Sequence, residues 1–441
     1  MSPNILNHMI SYKIHPIFVL SLLIVISSTN TQAREWYLTP NASSQLLFDS
    51  NLQLRTNRTI TTNGVTRTLK PGNTFGGTLS AGGIIGSQTE NSDVHIRGNV
   101  SFNRYNIRNF NSTNFFLSPE TWLTVNPRNK LGISGKLFLD TTLSRVRPSV
   151  VDNTPQNLDE TDDLLGVPRR RFTKSIRPEW NHSLSEKTAL NLSYEFTDVT
   201  YENAAKTGRV DYSIHSGQLN LSHQLTPKLL LFSNVSATLF STPDIHASTT
   251  YYSLQIGGQY KFSERWEAEV ALGGRYSFSD FRTQKIIPVI NTDGSVFLAS
   301  ISEKNNDSAL GSLAYASITH HYSMGQLKAS VTQDIRPTGN GDLQTSNQAA
   351  FSWTHHLSEH LDFSLPLSAL RASSISSDTN RLDRSYYQVA PLLRWHLSPE
   401  FSLGLRYRYR YQKFDNADDS AQSHGAMLSA NYHWRRRSIS R

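Results

Sequence analysis

Arg406, Arg408 and Arg410 occupy every second position of the run Phe401 to Gln412. In an extended chain alternate side chains leave the same face, so the three guanidinium groups form a ladder with roughly 7 Å per step. Each is a planar, forked donor suited to carboxylate, sulfate or phosphate. On the run before it, Arg394 shares its polar phase with Gln388 and His396 and could widen the stripe into a patch. Two uses compete for such a patch. It could select an anionic ligand or ion, or it could brace a wall by pairing with carboxylates such as Glu195, Glu267, Glu269 and Asp362.

Other residue groups with chemical potential are weaker. His320-His321 and His355-His356 are adjacent pairs without the spacing of a zinc helix, and they read as polar strand ends. A hydrolase built on a histidine is a lesser alternative, no catalytic residue is assigned, and the chain is read as a non-enzyme. Asp159-Glu160-Thr161-Asp162-Asp163 lacks the glycine and distal glutamate of a calcium loop and reads as a solvated loop before Arg169-Arg170-Arg171. Gly76-Gly77 and Gly82-Gly83 sit inside an alternating run, where they would permit bending or close strand approach. With no cysteine in 441 residues, disulfides and thiolate metal sites are excluded, and no metal or cofactor is expected.

The other face of the arginine run carries Phe401, Leu403, Leu405, Tyr407, Tyr409 and Tyr411. A strand with one greasy face and one cationic face suits a membrane barrel wall, with lipid outside and water inside. The same period of two recurs along the chain, in Leu190, Leu192, Tyr194 and Phe196, in Trp266, Ala268, Val270 and Leu272, and in Leu428, Ala430, Tyr432 and Trp434. No comparable period of 3.6 follows the amino terminus.

Between these runs a short cassette repeats: Leu184-Ser185-Glu186-Lys187, Leu225-Thr226-Pro227-Lys228, Phe262-Ser263-Glu264-Arg265, Leu357-Ser358-Glu359-His360 and Leu397-Ser398-Pro399-Glu400. Several spacings fall between 35 and 41 residues, the length of two strands with one tight turn and one loop. The cassettes therefore predict short turns on one side of a barrel. The longer segments near 52–73, 142–170 and 281–308 are expected on the other.

Lys13 and His15, the ten-residue apolar run Ile17 to Ile26 and the small-residue site Thr31-Gln32-Ala33 read as a secretory signal peptide covering residues 1–33. Ten residues fall well short of the ~20 that a helix needs to cross a bilayer. A hydrophobic content of 37% suits strands that face water on one side. Lys plus Arg total 43 against 35 for Asp plus Glu, a net charge of +8. This favours an anionic partner, but the basic residues lie strand by strand with no recognition helix, so nucleic acid is not expected.

The expected fold is all-β: a transmembrane antiparallel up-and-down barrel of about 18 strands (16–18) over residues 34–434, with a basic tail at 435–441. Trp180, Trp395, Tyr407, Tyr409, Tyr411 and Trp434 are read as interfacial aromatics that fix its depth in the bilayer. Tyr386, one residue out of phase with Tyr387, is the inward aromatic.

Trp36-Tyr37-Leu38-Thr39-Pro40, Phe48-Asp49-Ser50-Asn51 and the repeated turn cassettes resemble porin-like outer-membrane barrels of Gram-negative bacteria. In particular the chain is similar to barrels found beside exopolysaccharide and exosortase (PEP-CTERM) loci. The resemblance implies an outer-membrane location and contact with lipid, lipopolysaccharide and the barrel insertion machinery. It also implies a role in passage or assembly of a surface polysaccharide. The final strand resembles the signal read by that machinery, although seven residues follow Trp434. The leading expectation is porin-like passage of a hydrophilic, anionic solute or polysaccharide past Arg394, Arg406, Arg408 and Arg410. The alternative is a scaffolding barrel of a secretion system with an occluded lumen.

Overall fold

The computed structural model describes residues 35–56, 58–62, 65–69, 71–142, 169–204, 210–243, 247–290, 296–337, 343–374, 383–415 and 419–438. The segment read as a signal peptide and the acidic stretch Asp159–Asp163 lie outside the described residues.

The strands begin with β1 (Glu35–Asp49), β2 (Arg58–Thr62), β3 (Val65–Leu69), β4 (Thr74–Gln88), β5 (Ser92–Tyr105), β6 (Ser112–Asn126) and β7 (Asn129–Thr141). There follow β8 (Arg170–Ser183), β9 (Thr188–Tyr201), β10 (Tyr212–Thr226), β11 (Leu229–Thr242), β12 (Ala247–Lys261), β13 (Trp266–Ile290) and β14 (Val296–Tyr322). The last are β15 (Gly325–Pro337), β16 (Leu343–Ser358), β17 (Leu361–Ser374), β18 (Arg384–Val389), β19 (Leu392–His396), β20 (Phe401–Phe414), β21 (Ser420–His433) and β22 (Arg437–Ser438). Apart from the small β2–β3 hairpin, all belong to one sheet. β1 closes it by pairing antiparallel with β4 on one side and β21 on the other.

β18 and β19 form a single crossing, because the register against β20 runs unbroken from Val389↔Tyr409 to Leu392↔Arg406 across Ala390 and Pro391. Pro391 has no N–H to donate, which ends the formal strand without displacing the chain. β22 extends the seam of β21 along Tyr37 and Leu38 of β1, so part of the basic tail is stitched to the barrel end. The result is a closed antiparallel barrel of 18 strands.

Alternation assigns the two faces. The outward positions Leu79, Leu192, Leu254, Ile256, Val270, Leu272, Leu405 and Leu428 are all exposed, up to 64% at Leu272. A belt of this kind is stable only against hydrocarbon, and a closed barrel leaves no unpaired edge within the bilayer. The protein is a membrane-spanning β-barrel of the outer-membrane type.

The cassettes make the short turns by a shared device. In each, the Ser or Thr side chain accepts backbone N–H groups two or three residues on: Thr226 Oγ1 from Lys228 and Leu229, Ser263 Oγ from Arg265 and Trp266, Ser398 Oγ from Glu400 and Phe401. This side-chain acceptor satisfies the donors that a tight reversal leaves without a ladder partner. All such turns lie at one end of the barrel and the long connections at the other. The segment near 281–308, expected as a loop, instead continues the β13–β14 hairpin, whose ladder runs to Ile290↔Val296.

Two pieces turn inward at the long-connection end. After β1 the chain folds against the inner wall, where Leu52 packs with Leu47, Tyr105, Phe110 and Met427, and Leu54 with Leu370, Tyr386 and Ala421. Elsewhere β15 leaves β14 after Gln333, while its ladder with β16 continues to Pro337↔Leu343. That free hairpin tip leans inward, with Ile335 packed on Phe240 and Arg275 Nη2 3.2 Å from Thr345 Oγ1.

Candidate functional site

β20 places Arg406, Arg408 and Arg410 on its inward face, as its period requires. They do not stand open to a channel, because exposure is 6% at Arg406, 3% at Arg408 and 0% at Arg410. Their cover is the segment after β1. Asp49, itself fully buried, ends β1 directly opposite Gly425 of β21, and Gly425 lies opposite Arg408 of β20. Glycine is needed there: a Cβ on residue 425 would lie 2.9 Å from Asp49 Oδ2.

The Asp49 carboxylate thus rests between two arginines. Oδ2 accepts from Arg408 Nη2 at 2.9 Å and from Arg410 Nη2 at 3.0 Å, and Oδ1 accepts from Ser423 Oγ at 2.5 Å and from the Asn51 backbone N–H at 2.9 Å. Arg410 Nη2 also reaches the Asn51 and Leu52 carbonyls at 3.2 and 3.1 Å. Asn51 then shapes the loop by donating to the Arg55 and Gln422 carbonyls and accepting from the Arg55 N–H. Loop, strand β20 and strand β21 are clasped through one buried carboxylate.

Leu54 completes the clasp at a conformational cost. Its φ of 49° lies in the left-handed region, where a leucine carries strain of order 1–3 kcal/mol. Burying its side chain beside Tyr386 and Leu370 returns a comparable ~1.5–3 kcal/mol. Packing of Leu54 therefore holds a backbone turn that local preference alone would not select.

Three of the carboxylates expected to brace the ladder take other partners. Asp362 accepts from His356 Nδ1 at 2.6 Å and from His396 Nε2 at 2.8 Å, Glu267 accepts from Gln259, and Glu195 from Thr197. Bracing comes from Asp49, which was noted only within a motif of resemblance. Arg394 is inward and half-buried on β19, in register with Asp362 of β17 and Gly404 of β20. Tyr386 is inward and 2% exposed, its hydroxyl donating to Gln388 at 2.8 Å, so it packs in the wall.

The aromatics expected at the interface face outward. Trp180, Trp395 and Trp434 stand near the short-turn end, with Trp434 edge-on to Tyr432. Tyr407, Tyr409 and Tyr411 climb toward the other end, where Tyr407 Oη lies 2.7 Å from His424 Nδ1 and Tyr411 neighbours Tyr387. The histidine pairs are split by the strand period: His320 and His355 stack on outward Trp266 and Tyr322, while His356 turns in to Asp362.

Two further inward features belong to the wall. Arg171 is 2% exposed and paired to Asp140 through Nε and Nη2 at 3.2 and 3.1 Å, so this arginine of the 169–171 triplet braces the wall. Trp122 lies flat over Gly132 with Lys130 Nζ 4.6 Å from its ring, a cation–π contact on the lumen face.

No protein-family profile and no curated protein matches the chain. Among solved structures, the ferric-catecholate import receptor Fiu from E. coli K12 is similar at 8% identity and a TM-score of 0.45, over 92% of this chain and 82% of that one. The FrpB iron transporter from Neisseria meningitidis is similar at 9% and 0.44, over 91% and 81%. The outer membrane channel DcaP of Acinetobacter baumannii is similar at 11% and 0.42, over 92% and 99%. At these values the likeness extends to the general barrel architecture alone.

Proposed function

We propose that the barrel conducts a small hydrophilic anion across the outer membrane along the wall formed by β19, β20 and β21. One observation supports this above others: of the three inward arginines of β20, Arg408 and Arg410 share a single buried carboxylate, Asp49, and Arg406 has none among the described residues. That wall keeps an excess of positive charge, which lowers the electrostatic barrier for an anion and raises it for a cation. Barrels of ~16–18 strands enclose enough space for an aqueous path. An anionic polysaccharide would be the polymeric form of the same cargo.

Planar bilayer recording tests the proposal. The purified protein in a KCl gradient is expected to show discrete conductance with a reversal potential favouring chloride. Arg406→Ala should shift that potential toward zero. No conductance, or an unchanged potential in the variant, would overturn the reading.

The inward loop and the β15–β16 tip favour a second reading, a scaffolding barrel whose lumen is closed at the long-connection end. It expects no conductance in the native protein and the appearance of channels once the clasp is broken by Asp49→Asn.

A further inference from the structure

The ladder divides into two unequal parts. Arg408 and Arg410 both hold Asp49 and thereby the loop. Arg406, one step nearer the short turns, makes no hydrogen bond and no ion pair among the described residues, and its buried Nε has no acceptor. Its cross-strand neighbours are apolar, Leu392 on β19 and Met427 on β21, both buried. The charges that act on it are those of Arg408 and Arg394, both positive. A buried guanidinium between two apolar side chains and two like charges is costly unless an anion shares the site.

The next inward position down β20 is Gly404, which contributes no side chain. Its cross-strand partners are Arg394 and Ser429, so a second guanidinium and a hydroxyl border the same point of the wall. We propose that Arg406, with Arg394 and Ser429 at its margin, binds one small oxyanion of the phosphate, sulfate or carboxylate class, separately from the Asp49 clasp. The planar donors of two arginines fit the paired oxygens of such an ion, and chloride offers no such match. This site rests on the reading of the wall as an anion path, and it names the step at which the anion pauses.

The test uses the full chain folded in detergent micelles and titrated calorimetrically with inorganic phosphate at constant chloride. Saturable binding of one phosphate per barrel is expected, with sulfate and acetate competing. Arg406→Gln should weaken it about tenfold or more, the loss of a charged hydrogen-bond pair. Arg394→Gln, at a half-buried position, should weaken it in the same direction, and Arg435→Gln in the exposed tail should leave it unchanged. Folding of each variant is checked by heat-modifiable migration on a gel. Absence of saturable phosphate binding, or a folded Arg406→Gln barrel that binds like wild type, sinks the site even where conductance is found. Phosphate binding without conductance would instead overturn the passage reading and leave this site standing.

Discussion

At the scale of single residues, the charge balance around Asp49 sets what each substitution should do. Asp49→Asn leaves Arg408 and Arg410 buried without a carboxylate, and breaking a buried pair in this way costs ~3–5 kcal/mol. Urea unfolding followed by tryptophan fluorescence is expected to show a midpoint lowered accordingly, and an unshifted midpoint would mean that the clasp contributes nothing. Gly425→Ala attacks the same point sterically, since its Cβ would lie 2.9 Å from Asp49 Oδ2 and 3.2 Å from the Phe48 carbonyl. A loss of about 1–3 kcal/mol is expected from such overpacking, smaller than for Asp49→Asn because the charges stay paired. The arginine ladder was legible in the sequence because a period of two is a local property. Its partner was not, since Asp49 and Arg410 are hundreds of positions apart and meet only when β1 and β21 close the ring. Leu54 was illegible for another reason: nothing in its chemistry announces a positive φ that only tertiary packing sustains.

Strands were the most readable level of this chain, because each repeats one rule: apolar out, polar in, Ser or Thr at the reversal. That rule makes an asymmetric prediction within β12. Leu254 faces out at the middle of the strand and Gln255 faces in. Leu254→Arg should destabilise the folded barrel by ~2–4 kcal/mol in lipid vesicles, whereas Gln255→Arg should cost little. Equal effects at the two positions would refute the assigned faces. The rule fails where strands stop belonging to the wall. The run from 281 to 308 looked like a loop because its alternation decays, yet it continues as paired strand. The tip of β15–β16 alternates well but has lost its β14 neighbour, and pattern alone does not report a missing neighbour.

For the whole molecule the two inward pieces narrow the lumen from different arcs of the ring, and they need not be equivalent. The loop after β1 is held by a buried ion cluster on β20 and β21, together with Leu52 and Leu54 against the wall. The β15–β16 tip rests on Phe240, Tyr212 and Tyr251, and Arg275 Nη2 reaches it at Thr345 Oγ1. A clasp centred on one carboxylate can be released by one substitution, whereas dispersed packing cannot. The chain has no cysteine, so a thiol placed at Leu52 would be the sole reporter of this clasp. Leu52→Cys should react slowly with a charged methanethiosulfonate reagent, because that position is 1% exposed. Adding Asp49→Asn should raise the labelling rate at least tenfold, as expected when the loop loses ~3–5 kcal/mol of anchoring. If the rate rises and conductance rises with it, the loop is what narrows the path. If labelling accelerates while conductance stays fixed, the narrowing resides in the β15–β16 tip, and the ladder's excess charge then acts on anions that pass beside the loop instead of beneath it.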